Sequence, residues 1–234
     1  MPELLTERLV LRPLELADAV QVEPLFAQWE VVKYLNGKVP WPFPEDGALE
    51  YYREVALPAM ARGEEWHWTL RLKTEPDKVI GAIGLMKPGA AGNPEENNRG
   101  FWLDPQWQGR GLMTEAVVAV NDYWFEVLGF EMLRAPKAVA NAASSAISRK
   151  TGMRLVEVKL GEYVSGRLET EVWEITREEW REWKGSKTAK GSGLASQQVA
   201  VGRRELFGAE GVGGVDGGGA LGGQPGCEDG EQRE

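Results

Sequence analysis

The run Gln106-Trp107-Gln108-Gly109-Arg110-Gly111-Leu112-Met113-Thr114-Glu115-Ala116 lies between a strand-like segment and an amphipathic, helix-like one. A glycine-rich turn at such a junction leaves backbone N–H groups unpaired at a helix N-terminus, where the helix dipole adds partial positive charge. The chemistry this suits is anion binding, with a phosphate or pyrophosphate as the natural guest. Gly109 and Gly111 can take left-handed angles and let a ligand approach the backbone closely. Two glycines near a helix start also describe an ordinary turn, so the surrounding chain has to decide between these readings.

The elements that position this turn read as alternating strands and helices. Arg8 to Pro13 is strand-like. Asp18 to Phe26 opens a helical region that runs loosely into Pro40-Trp41-Pro42-Phe43-Pro44, a loop because prolines remove donors and restrict their predecessors. Helical spacing returns over Ala48 to Arg62. Trp66 to Leu72 and Val79 to Leu85 form a strand pair joined by Glu75-Pro76-Asp77, which reads as a hairpin. A Gly, Pro and Asn loop from Pro88 to Asn98 leads to the strand Gly100 to Leu103 and so to the glycine turn. Beyond it, Met113, Ala116, Val117, Val120, Trp124 and Val127 fall on one helical face, and Gly129 stops the helix. Leu133 to Val139 is strand-like, although Pro136 is awkward in a fully paired central strand. Ser144 to Thr151 is a short helix. The strands Leu155 to Leu160 and Thr170 to Ile175 follow, then a last helix whose Thr176 and Glu179 have capping-box spacing.

Composition bounds the function. A chain of 234 residues suits one domain with a real core. A formal net charge of -9 argues against nucleic acid and favours cationic partners such as amines. The single cysteine, Cys227, cannot form an internal disulfide, which allows a reducing compartment. No apolar stretch suits a membrane span, and charges stand where a signal peptide would be apolar, so the expected location is the cytoplasm. From Gly185 onward the chain turns to Gly, Ser, Gln and charge, with Gly217-Gly218-Gly219 and Gly222-Gly223. That segment cannot bury enough surface to offset its ordering entropy, so the expectation is a domain over 1–184 and a disordered tail over 185–234. A docking tail using Leu206-Phe207, or a translated out-of-frame extension, would look the same.

The pattern Q-x-x-G-x-G on Gln106, Gly109 and Gly111, followed by Thr114-Glu115-Ala116, resembles the acyl-coenzyme A motif of the GNAT acetyltransferase superfamily. Three further segments match in order. Thr6-Glu7-Arg8-Leu9-Val10-Leu11-Arg12-Pro13 resembles the opening strand of the subgroup containing the ribosomal-protein N-terminal (alanine/serine) acetyltransferases. Asn141-Ala142-Ala143-Ser144 with Lys150-Thr151-Gly152-Met153 resembles that subgroup's N-x-x-S segment and the close of its next helix. Phe101-Trp102-Leu103-Asp104-Pro105 matches the strand entering the coenzyme turn. The resemblance covers the chain to about Lys184. It implies an α/β (α+β) GNAT fold, a mixed, mostly antiparallel central sheet with splayed central strands flanked by helices. There the strand holding Pro136 splays from its neighbour, so the missing donor does little harm. It also implies acetyl-CoA as cosubstrate without a metal, an amine acceptor that is a protein N-terminus or a small amine, and a monomer or homodimer.

Acetyl transfer needs an aligned neutral amine, a donor for the developing oxyanion and a proton source for the leaving thiolate. By resemblance, backbone groups near Trp102 and Leu103 pair with the pantetheine arm. The N–H groups of Gln108, Gly109, Arg110, Gly111, Leu112 and Met113 hold the pyrophosphate, and Arg110 either adds charge or is a solvated turn residue. Ser144 is either the hydrogen-bond donor at the coenzyme sulfur or an ordinary helix N-cap. Asn141 either reaches the coenzyme or serves the turn. Many members use a tyrosine in this helix as the acid, and none lies between Ser144 and Thr151.

The general base is less defined. Many relatives carry a glutamate two residues before the glycine placed here at Gly100, where this chain has Asn98. Glu95 and Glu96 lie just upstream and could reach the slot, or be merely solvated. His67, the single histidine, has a suitable intrinsic pKa, and strand alternation points it away from Trp66 and Trp68; a structural role is its alternative. An α-amine, with a pKa of roughly 7.7 to 8.0, needs less help from a base than a lysine near 10.4. Trp29, Tyr34, Trp41, Phe43, Tyr51 and Tyr52 could wall the acceptor site or fill the core. Two other readings stay open: a GNAT-like acyl-CoA-binding module without catalysis, and a Rossmann domain, which lacks here the full G-x-G-x-x-G turn.

Overall fold

In the computed structural model, which describes residues 1–89 and 97–189, the alternating segments of the first half form an antiparallel sheet. Its strands lie in chain order: β1 (Leu4–Leu5), β2 (Leu9–Pro13), β3 (Glu65–Leu72), β4 (Gly81–Met86) and β5 (Arg99–Leu103). A second sheet has the order β6-β8-β7, from β6 (Met132–Ala138), β7 (Arg154–Tyr163) and β8 (Gly166–Thr176), again antiparallel. The helices are α1 (Ala19–Phe26), α2 (Trp29–Val32), α3 (Gly47–Tyr51), α4 (Leu57–Ala61), α5 (Leu112–Asp122), α6 (Ala142–Lys150) and α7 (Arg177–Ala189).

Alternation on β3 sorts the two faces of the first sheet. Trp66 packs edge-on to Trp124 and Phe130, and Trp68 to Tyr123, so these side chains face α5. Residues in between point the other way, as Arg71 shows by donating to Asp18 beside α1. Every residue of α5 except Thr114 is buried, which fits a helix apolar on most of its circumference and enclosed by the core. At Tyr123–Val127 that helix widens into a π-helical turn. The wider turn delays the phase, so Tyr123, Trp124 and Phe125 are all buried and Val127 emerges 49% exposed. The expectation that Val127 continues the buried face is corrected by this turn.

The final helix closes over α5. Its capping box forms, with Thr176 N–H donating to Glu179 at 2.8 Å and Glu179 N–H to Thr176 Oγ1 at 3.2 Å. Trp180 is fully buried, stacks on Trp183 and donates to Asp122 at 2.9 Å. This helix runs to Ala189, past the composition change at Lys184.

A hydrogen-bonded clip joins the two sheets. Asn98 N–H donates to the Arg134 carbonyl at 2.8 Å, Arg134 N–H donates to Asn98 Oδ1 at 2.8 Å, and Asn98 Nδ2 donates to the Met86 carbonyl at 3.2 Å. Past it, β5 and β6 belong to separate sheets and leave a gap. Peptide groups alternate sides along a strand, so Pro136, two residues after Arg134, turns its hydrogen-free nitrogen into the gap rather than toward β8. No ladder bond is lost there.

Candidate active site

Gly109 and Gly111 both lie in the left-handed region, at φ 73° and 77°. Gly111 is the N-cap of α5 and makes no side-chain cap bond, so the first N–H groups of the helix are free to meet a ligand. Nothing lies within 4 Å of a Cβ added at Gly109, so the space over the turn is open. Gln108 is tied back to the end of β5, its Nε2 donating to the Leu103 carbonyl at 2.8 Å. The Arg110 guanidinium sits 4.8 Å from the Trp107 ring, a cation–π contact that holds it beside the turn.

The turn is braced from the opposite end of the chain. Glu115, buried in the first turns of α5, accepts from Thr6 Oγ1 at 2.5 Å, from Arg8 N–H at 2.7 Å and from Arg8 Nε at 2.7 Å. Burial acts to raise its pKa, but the hydrogen bonds from Thr6 and Arg8 outweigh it and hold the carboxyl below its usual value. Arg8 also donates to the Arg110 carbonyl at 3.0 Å, inside the turn. A cleft of about 310 Å³ opens beside this brace, with Arg8, Gly111, Lys150, Trp183 and Lys187 in its lining. The sequence showed none of these three cations as partners of the turn, because they come from elements far apart along the chain.

Trp102 and Leu103 stand at the end of β5, on the strand that borders the gap. Trp102 faces α1, its ring 5.5 Å from that of Phe26. On the far side, α6 begins at Ala142 with Asn141 as its N-cap, Asn141 Oδ1 accepting from Ser144 N–H at 3.2 Å. The cap reading of Ser144 is thereby corrected: the hydroxyl three residues into the helix does no capping, because the amide oxygen of Asn141 has taken that donor. Ser144 is buried, and its hydroxyl has no hydrogen bond among the described residues.

On the helix-facing side of the gap lie two buried cations. Arg99, on β5, donates to Asn121 Oδ1 on α5 at 2.6 Å, while its Nε has no partner among the described residues. Lys137, on β6, donates to Ser148 on α6 at 2.5 Å. Burial pushes the Arg99 guanidinium down to about 9, which leaves it charged at neutral pH. Burial, reinforced by the Arg99 charge, holds the Lys137 amine well below the usual lysine range.

The candidate bases fall differently. Glu95 and Glu96 lie outside the described residues. Asn98 is the clip described above, with donor and acceptor both used. His67 lies on the α1 side of the sheet, opposite Trp66 and Trp68, with Nε2 2.6 Å from Glu65 Oε2. Its ring rests on Gly84 of β4, whose added Cβ would come within 2.3 Å of Nδ1. Alternation alone gave the face of His67; the pairing with Glu65 two residues away was equally available and was missed. Of the aromatic residues near the start, Tyr52 is core and Phe43 packs on Phe26 at 5.0 Å. Trp29 and Trp41 form a partly exposed pair 5.4 Å apart. Among the described residues no helix is long and apolar enough to cross a membrane.

The family model for the acetyltransferase (GNAT) domain matches residues 8–154. An uncharacterized N-acetyltransferase p20 of Bacillus licheniformis is 30% identical over 147 residues, which cover 62% of this chain and 78% of that protein. The fold is similar to that of a ribosomal-protein-S5-alanine acetyltransferase from Vibrio fischeri, with TM-score 0.64 and 16% identity over 76% of this chain and 98% of the other. It is similar also to a chimera of the spermidine N-acetyltransferase SpeG from Vibrio cholerae with hSSAT, with TM-score 0.60 and 16% identity over 74% and 98%. With the glycine turn inside the matched span, the chain belongs to the GNAT acetyltransferase family and is an acetyl-CoA-dependent acyltransferase.

Proposed function

We propose that this acyltransferase moves an acetyl group from acetyl-CoA to a primary amine, a protein N-terminal α-amine first. The observation that carries the reading is the uncapped N-terminus of α5, with Gly109 and Gly111 in left-handed conformation. The pyrophosphate lies on the N–H groups from Gln108 to Met113, and the adjoining cleft offers Arg8, Lys150 and Lys187 alongside Glu7 and the Arg8-paired Glu115. The pantetheine arm enters the gap along Trp102 and Leu103. Ser144, with its hydroxyl uncommitted, donates to the sulfur as charge develops there, and Asn141 supports it by fixing the start of α6.

A protein N-terminus is favoured by the resemblance of the opening strand and the N-x-x-S segment to the ribosomal-protein subgroup, and by the lower proton affinity of an α-amine. A small polyamine is the second reading. The exposed Trp29 and Trp41 pair favours it, because indole faces attract cations. The experiment is to follow free thiol release from acetyl-CoA with peptides beginning in Ala or Ser, with polyamines, and with lysine-containing peptides of blocked N-terminus. Peptides of the first kind are expected to give the highest kcat/KM. Gly109→Val is expected to weaken acetyl-CoA binding at least tenfold by calorimetry while remaining folded, since a β-branched residue resists the left-handed angle and covers the donors. Unchanged affinity in the folded variant would remove the pyrophosphate from the turn.

A further inference from the structure

We propose that His67 is the general base for the acceptor amine, with Glu65 as its positioning residue and the backbone row Gly84–Gly100 as the floor across which it acts. The inference rests on the acetyl-transfer reading above. Asn98 cannot be the base. It is uncharged, and both ends of its amide are spent on the clip, donating to the Met86 carbonyl and accepting from Arg134 N–H.

The register of the first sheet puts a basic nitrogen close by. His67 pairs with Gly84, and Gly84 pairs with Gly100 on β5, the strand that borders the gap. The imidazole occupies the volume that a side chain at position 84 would fill. Over Gly100 there is room, the nearest atom to an added Cβ being Met86 Cε at 3.8 Å. Neighbouring strands are about 4.8 Å apart, so an amine nitrogen above Gly100 lies within one hydrogen bond or one bridging water of the ring.

The tautomer follows from the partner. Glu65 is an acceptor 2.6 Å from Nε2, so Nε2 carries the hydrogen and Nδ1, against Gly84, keeps a free lone pair. Both side chains are 15% exposed, sheltered yet able to return a proton to water. Two further titratable groups act electrostatically on Glu65, Tyr51 on α3 and Arg62 at the end of α4. Burial and the Glu65 charge push the Tyr51 hydroxyl up to about 12, so it stays protonated and does not compete as a base.

His67 Nδ1 takes one proton from the bound ammonium and later releases it to solvent. The neutral amine attacks the thioester carbonyl, the N–C bond forms and the C–S bond breaks. The second nitrogen proton leaves with the coenzyme thiol by way of the Ser144 hydroxyl, so ammonium and thioester become amide, thiol and one free proton.

The test uses the full chain with whichever amine the panel identifies. It compares the parent with His67→Gln, Glu65→Gln and Gly84→Ala, by kcat/KM against pH, by acetyl-CoA affinity and by melting. His67→Gln is expected to lose about a hundredfold to ten-thousandfold in kcat/KM, together with the acid limb of the profile, at nearly unchanged acetyl-CoA affinity. Glu65→Gln should lower kcat about tenfold with little change in KM or acetyl-CoA affinity, because the ring loses the carboxylate that fixes its tautomer and orientation. Gly84→Ala keeps both side chains but displaces the ring, and at least a tenfold loss of kcat/KM is expected. A folded His67→Gln that keeps the parent rate and the parent pH profile overturns the assignment. So does a Gly84→Ala variant of unchanged rate, which covers the case in which His67→Gln fails to fold. A parent that binds acetyl-CoA yet acetylates no amine in the panel overturns the proposed function as well, and the parent assay alone reveals that outcome.

Discussion

Lys137 enters the helix-facing side of β6 with one hydrogen bond, to Ser148, and with the Arg99 guanidinium acting on it electrostatically. Glu171, its register partner on β8, pulls the other way but is already accepting from Ser145 and Trp173. Burial therefore wins and the lysine pKa falls in the folded state. The unfolded chain binds a proton at Lys137 up to about pH 10.4, and the folded chain releases it earlier, so this residue makes stability rise with pH between those two values. Lys137→Met should then raise the melting temperature near pH 7, where each unit of depression costs about 1.4 kcal/mol, or several degrees for a domain this size. The advantage should shrink as the pH approaches 10. A lower melting temperature at pH 7 would mean that Lys137 stays charged and that Glu171 holds it.

Among elements, the brace between the opening strand and α5 links two segments that each matched a family motif without showing that they touch. Glu115→Gln keeps the shape and removes the charge that Arg8 and Thr6 serve, so Arg8 loosens its hold on the Arg110 carbonyl. The expected cost is about 1–3 kcal/mol in stability and about fivefold to tenfold in acetyl-CoA affinity, read by melting and calorimetry. Since the Glu115 pKa is lowered in the folded state, its contribution is full above the ordinary carboxylate range and disappears as the pH falls below it, so parent and variant should converge in acid. Equal acetyl-CoA affinity at neutral pH would show that the turn stands without the brace. The order of strands and helices was legible because hydrophobic periodicity is local. The brace, the Asn98 clip and the Asn141 cap were not, since each depends on which of several equivalent polar groups arrives first across the fold. The π-helical turn at Tyr123–Val127 was invisible for a related reason: a helical wheel assumes constant phase, and the aromatic run there breaks it.

At the scale of the molecule, composition puts the end of the domain at Lys184, whereas α7, which Trp180 anchors to α5, runs on to Ala189. Residues 190–234 offer no apolar period with which to extend a core. A chain ending at Ala189 should keep the parent's melting temperature within about 2 °C and its acetyl-CoA affinity within about twofold, since a sequence without apolar periodicity has little with which to pack. A drop of many degrees would place part of the core beyond α7. The same large-scale division into two sheets gives Pro136 a meaning that its strand propensity hides. Two strand edges that face one another tend to zip, and an empty enzyme with complementary amides on both walls would be prone to close its own binding slot. A proline on one wall removes one donor that such closure would use, so β6 resists zipping onto β5 at position 136 by what it cannot do.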